Sequence, residues 1–425
     1  MITQTQTSAR CHSVGLPVLC AVQFLERLAG YMLAASLALF LDENLHLGEG
    51  RAARVAGYFL AASYAAAVPG GVAVDRFLGA ARGVRVAALL LAVGYALACI
   101  GSAWALLLGA LLLVIGSGLF RPSVAALTGT LRAGGSGEPF RWLYFVVNIA
   151  ALTAPLLSGV LRAYCGWESI PATAAAVLIA SCVLLHRHCG NALQLAHRAA
   201  PNPTSSSSAH KSESSRHRIS LTAFFVVFLL LGVAMNQSLG TLLFWARDDT
   251  RRSLFALTLP PETFAMLPGG LVLLYTPLLA ALSSAMTKRR CAFSSHAQVS
   301  VGLLCAVAAY AVMVPASILR AAGDAPVSSA WLTACLACIT LAEALVLPLG
   351  MRLVSDLAPP QRVTQTHGLF CLASALGYLL AGEVGGLWTR WPHVYFFALL
   401  GMVCVVALAI HAAALPKCKQ AVRAS

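Results

Sequence analysis

Long apolar runs alternate with short polar intervals along the whole chain, near 16–41, 54–75, 84–101, 104–131, 140–163, 169–187, 220–246, 261–287, 295–318, 328–354, 363–385 and 392–416. Each is close to the roughly 20 residues that a helix needs to cross a hydrocarbon core. Alternating segments of about 10 residues, the signature of a membrane β-barrel, do not occur. The pattern therefore predicts an all-α membrane protein with twelve transmembrane helices. One interval is different: "HRHCGNALQLAHRAAPNPTSSSSAHKSESSRHRIS" (186–220) is Ser-rich, basic and without apolar period, which reads as a flexible linker. It sets expected boundaries of 1–188 for a first six-helix bundle, 189–219 for the linker and 220–425 for a second bundle. Two such halves joined by a long loop predict an internally repeated architecture of two six-helix bundles.

Composition narrows the picture. Of 425 residues, 59% are hydrophobic and only 10% charged, a balance that leaves no polar surface for a soluble domain. The first run is far longer than a signal core of about 7–15 residues and carries a Glu–Arg pair, so the N-terminal segment is expected to stay. A net charge of +14 suggests nucleic acid until its placement is examined: Lys and Arg fall in short loops rather than on one face. With both termini cytoplasmic, about 19 of the 29 lie inside and about eight outside, the bias expected of a cell-membrane (plasma or inner) protein. The 13 cysteines lie mostly within apolar runs, where Cys acts as a small hydrophobe. Cys335 and Cys338 form a CxxC without a second pair, and no metal or redox role is expected. No His or Cys set, carboxylate dyad or nucleotide loop suggests an enzyme or a bound cofactor.

Polar groups inside the runs carry the functional signal, because an ionised side chain at mid-bilayer costs about 2.5–3.5 kcal/mol on insertion scales. In "QFLERLAGYM" (Gln23 to Met32), Gln23, Glu26, Arg27, Gly30 and Tyr31 share one face of a helix. Glu26 and Arg27 are consecutive and do not face each other on a helix, so each is expected to find its partner on another helix, Arg121 for Glu26. Tyr64, Asn148, Asn236, Gln237, Glu343 and Ser374 are further polar candidates in other runs. Arg27 and Arg121 are the Lys or Arg residues read as lying within the membrane. Between the second and third runs, "GGVAVDRFLGAARGVR" holds Gly71, Asp75 and Arg76 in the G-x-x-x-D-R spacing of a facilitator gate motif.

In order along nearly the whole chain, "QFLERLAGY", "GGVAVDRFLG", "GSGLFRPSVAALTG", "YFVVNIAALTAPLLSG" and "GLFCLASALGYLLAG" resemble segments of the proton-dependent oligopeptide transporter family. The resemblance implies a facilitator-fold importer of di- and tripeptides or peptide-like zwitterions, working by alternating access as a monomer, with its site between the halves and proton linkage. It implies that Arg27 and Arg121 receive the peptide carboxylate, that Tyr31 and Tyr64 line the pocket, that Asn148 meets the backbone or amine, and that Glu343 meets the amino terminus. Phe370 and Ser374 fall at a side-chain pocket, and Asn236 stands where the family commonly has Glu. Glu26 and Glu343 are the matched acids that remain to carry protons, Gln23 having replaced the first Glu of the signature. The alternatives are a uniporter or symporter for another organic anion, and a non-transporting membrane receptor.

Overall fold

The computed structural model describes residues 2–131, 138–188, 215–254, 257–288, 294–357 and 363–422; residues 189–214, the core of the expected linker, lie outside these. Among the described residues, eleven helices are long and apolar enough to cross a membrane, and a shorter apolar stretch, Cys371–Gly385, marks the twelfth. The helices are α1 (Ile2–Glu43), α2 (Glu49–Ala65), α3 (Ala67–Ala73), α4 (Ala80–Ala98), α5 (Ala103–Leu131), α6 (Glu138–Cys165), α7 (Ser169–His188), α8 (Ser215–Met235), α9 (Thr241–Asp248), α10 (Leu267–Lys288), α11 (Ser295–Ala322), α12 (Ser329–Leu357), α13 (Val363–Gly385) and α14 (His393–Val422).

Two spans are jointed where unbroken runs were expected. The second consists of α2 and α3 around a turn at Ala66, followed by a π-turn at Val74–Leu78 that stops at Gly79 with φ +71°, a backbone conformation that glycine adopts without a Cβ clash. The seventh consists of α8 and α9 with a 3₁₀ turn, Asn236–Leu239, between them. Short strands, unforeseen in an all-helical reading, occupy the polar loops: β1 (Thr250–Arg251) pairs in parallel with β4 (Val327–Ser328), and β2 (Ser253–Leu254) pairs antiparallel with β3 (Leu257–Thr258). Those loops lack an apolar helical period, and Pro260 and Pro261 deny further backbone donors.

The chain divides into two compact units, residues 1–36 with 62–206 and residues 37–61 with 207–425. Residues 37–61, the end of the first span and the start of the second, thus group with the C-terminal half.

Small residues set the packing of the first unit, as they must where no hydrophobic drive separates helix from lipid. A Cβ on Gly70 of α3 would stand 2.2 Å from the Gly118 carbonyl oxygen of α5, and one on Gly109 would stand 2.7 Å from that of Gly94. Leu28 and Met32 of α1 bury against Ala150 and Ala154 of α6 and Ile170 of α7, and the buried Tyr95 hydroxyl of α4 donates to the Ala29 carbonyl at 3.1 Å. Together these contacts fix the face of α1 that bears Glu26 and Arg27. In the second unit, Tyr310 of α11 donates to the Ala234 carbonyl of α8. Trp245 of α9 is enclosed edge-on by Trp388 and Phe397, with ring centroids 6.4 and 5.2 Å away.

Candidate functional site

α1 passes two charged side chains through the interior of the first unit. Glu26 is buried, and Arg27 lies against it: Nε is 2.7 Å from Oε2, and Nη2 donates to Oε1 at 3.1 Å. This corrects the expectation that each would pair with another helix. Their Cβ atoms diverge, but the long guanidinium arm reaches back along the helix, and with 13% and 6% of these side chains exposed little water competes for either charge. Arg121 accordingly is not the partner of Glu26. It lies on α5, its Cζ 3.7 Å from the centroid of the Tyr64 ring, and its Nη1 donates to the Ser63 carbonyl at 3.2 Å. Tyr31 and Tyr64 also fall within the electrostatic reach of Arg27, so the structure gathers Glu26, Arg27, Tyr31, Tyr64 and Arg121 into one cluster.

The charges in that cluster do not cancel. Two guanidiniums meet one carboxylate, and among the described residues no carboxylate pairs with Arg121. Its buried Nε, like Arg27 Nε and Glu26 Oε2, has no well-aligned hydrogen bond. A buried cation with a spare donor is a receptor for an anion, and the guanidinium fork suits a carboxylate. Asn148 is buried on α6 and gives its amide to its own helix, Nδ2 to the Tyr144 carbonyl at 2.8 Å, which leaves its side-chain oxygen to accept.

The second unit contributes a different set. Glu343 of α12 is half-buried, and among the described residues it forms no ion pair or hydrogen bond. Asn236 sits in the 3₁₀ turn beside Gly377 of α13, where an added Cβ would stand 3.6 Å from its Nδ2. Its neighbour Gln237 is fully buried as a tie, donating to the Ala381 carbonyl at 3.1 Å and accepting from the Thr241 hydroxyl at 2.8 Å. Ser374 is half-buried on α13, and the side chain of Phe370 lies outside the described residues. Of the gate residues, Asp75 and Arg76 are exposed in the π-turn, and Gly71 faces Pro122.

Two groups escaped the sequence reading. Arg247 closes the chain's seventh span and touches four carboxylates: Glu49 at 2.6 Å, Asp42 at 2.7 Å, Asp248 at 2.9 Å and Glu43 at 3.2 Å. Beside it Asp249 binds Arg320 at 2.8 Å and faces His393 at 3.6 Å. Burial pushes the Asp249 carboxyl above its usual range, against the pull of these two groups. Arg54 of α2 lies inside the second span and faces Glu383 of α13, so Arg27 and Arg121 are not the only membrane arginines. A tally of every acid within the apolar runs would have found Glu383; matching acids to a family signature did not.

The sequence profile of the Major Facilitator Superfamily matches residues 19–382. The chain belongs to the major facilitator superfamily. This facilitator is 26% identical to the peptide transporter YePEPT of Yersinia enterocolitica over 95% of its own length and 93% of that protein's. Its fold superposes on the crystal structure of a peptide transporter POT in complex with sulfate with a TM-score of 0.85, at 21% identity over 96% of this chain and 94% of that one. A POT family transporter in complex with 5-aminolevulinic acid superposes equally well, with a TM-score of 0.85 at 18% identity over 95% and 96%. The resemblance to the oligopeptide transporters read from its motifs is thus borne out, as is the twelve-span facilitator fold.

Proposed function

We propose that this facilitator imports di- and tripeptides, or zwitterions built like them, across a cell membrane by alternating access, and that it does so as a monomer together with protons. The observation that carries the proposal is the surplus cation of the first unit. Arg121 lies beside an already neutral Glu26–Arg27 pair and stacks on Tyr64, so a carboxylate that arrives there completes the charge balance. Glu343, which among the described residues has no ion pair or hydrogen bond, is by its charge a carboxylate suited to an ammonium group. Free peptides bear both charges at their ends, and so does 5-aminolevulinic acid, the ligand of one fold neighbour. We assign both termini to the cytoplasm, from the Lys and Arg bias of the loops; the ends of α1 and α2 at residues 42–49 then face outside.

The test is uptake of labelled di- and tripeptides into proteoliposomes containing the full chain. Saturable uptake, competed by unlabelled dipeptide and not by the amide of acetic acid, is the expected outcome. Uptake of simple carboxylates at the same rate as dipeptides, unaffected by peptide competition, would establish an organic-anion carrier instead, which needs Arg121 but not Glu343.

A further inference from the structure

Two guanidiniums lie in the interior of the first unit, and the same edge of each is used differently. On Arg27 the edge formed by Nε and Nη2 is filled from within the chain. Nε lies 2.7 Å from Glu26 Oε2 and Nη2 donates to Oε1 at 3.1 Å, a two-point contact of guanidinium with carboxylate. On Arg121 it is the Nη1 end that is engaged, donating to the Ser63 carbonyl at 3.2 Å, while the Tyr64 ring covers one face of the plane. The Nε edge of Arg121 is open: its buried Nε has no hydrogen-bond partner among the described residues. One fork is thus occupied and the other offers room for one carboxylate. The helix that carries Glu26 is also held against rotation. Leu28 and Met32 pack on α6 and α7, and Tyr95 of α4, buried within electrostatic reach of both Glu26 and Arg27, donates to the Ala29 carbonyl at 3.1 Å. A turn of α1 that carried Glu26 away from Arg27 would break that bond.

We propose that Glu26 sets the charge specificity of the transport site: by filling the Arg27 fork it leaves a single anion place, so the site takes peptides with one carboxylate and discriminates against those with an acidic side chain. This inference rests on the peptide-import reading given above and deepens it. A terminal carboxylate on Arg121 brings the set of Glu26, Arg27 and Arg121 from one net positive charge to zero. A second carboxylate, from an Asp or Glu side chain of the peptide, finds no open fork in that set. It can pair with Arg27 only by displacing Glu26. The displaced carboxylate then stays in an interior that leaves 6% of its side chain exposed, where a charge without its partner is costly. Glu26 therefore acts as a resident competitor for every second anion, and Tyr95 is the positioning residue that keeps it in place. Specificity of this kind comes from a repulsive element built into the site rather than from an added contact.

The test is the ratio of two affinities, measured by titration calorimetry on the full chain in detergent with alanylalanine and alanylaspartate. In the native protein alanylaspartate should bind about tenfold more weakly. Glu26→Gln keeps the shape of the side chain and opens the Arg27 fork, so the gap should close to within about twofold or invert. Equal affinities in the native protein, or a gap that Glu26→Gln leaves undiminished, overturn the proposal. If Glu26→Gln does not fold, Tyr95→Phe, which removes only the bond to Ala29, should narrow the gap by about threefold. A general loss of packing would lower both affinities alike, so an unchanged ratio in Tyr95→Phe overturns the proposal too. If neither dipeptide binds, the import reading fails, and the charge count is tested alone with butyrate and succinate as probes in thermal unfolding. Butyrate should then raise the Tm of the native protein more than succinate does, and in Glu26→Gln succinate should match or exceed it. Succinate protecting the native protein as well as butyrate does would sink the single anion place itself.

Discussion

Around Arg247 one guanidinium gathers four carboxylates, whereas in the cluster of Arg27 and Arg121 two guanidiniums are set against a single carboxylate, which pairs with Arg27 alone. The imbalances are opposite in sign, and their settings explain why both are tolerated. The acidic surplus lies at helix ends, with the Asp248 side chain 46% exposed, where water and salt screen like charges. The cationic surplus lies within the spans of the first unit, and under the proposed function an incoming anion balances it. The first arrangement holds helix ends together; the second leaves a place to be filled.

The largest effect that separates the two is on stability. Arg247→Ala leaves Asp42, Glu43, Glu49 and Asp248 facing one another, and removing the counter-charge they share should cost about 3 kcal/mol. Thermal unfolding in detergent should show the drop in Tm, with part of it recovered at high salt. An unchanged Tm would make the ring an ordinary surface ion pair of little weight.

A smaller loss is expected on the cationic side, and it should appear in binding rather than in unfolding. Arg121→Ala removes a charge-assisted partner worth about 1.5–3 kcal/mol, so dipeptide affinity by titration calorimetry should fall at least about tenfold with little change in Tm. Arg121→Lys keeps the charge but loses the planar fork and the stack on Tyr64 and should fall between. A Tm loss as large as that of Arg247→Ala, without a binding defect, would erase the contrast.

The smallest effect sharpens the comparison. Glu343→Gln keeps shape and removes charge, so dipeptides should lose more affinity than their N-acetylated analogues, by a few-fold, in competition uptake. Equal losses would make Glu343 something other than the receptor of an ammonium group.

The spans were legible in the sequence because about 20 apolar residues are a requirement of the bilayer itself, and the facilitator motifs sit on the helices where they were read. Side-chain pairing was much less so. Glu26 and Arg27 pair although neighbours in sequence, because the reach of a guanidinium outweighs the 100° between Cβ atoms once water is excluded. Arg54 and Glu383 lie 329 positions apart in the numbering, and only the close approach of α2 to α13 at Gly57 and Gly382 brings them together. The break at Asn236–Leu239 has no Pro to announce it; it takes shape through Gln237, whose buried amide binds a neighbouring helix.

That break also bears on mechanics. A continuous helix is a stiff rod, so tilting one end swings the other. In the seventh span the 3₁₀ turn interrupts the ladder of hydrogen bonds, and such interruptions act as hinges. The short rod beyond it, α9, is held by its buried Trp245 and by Arg247, while α8 is a separate rod that meets it at the 3₁₀ turn. A tilt of α8 would therefore be taken up at residues 236–240 before it could be levered onto the ring of acids.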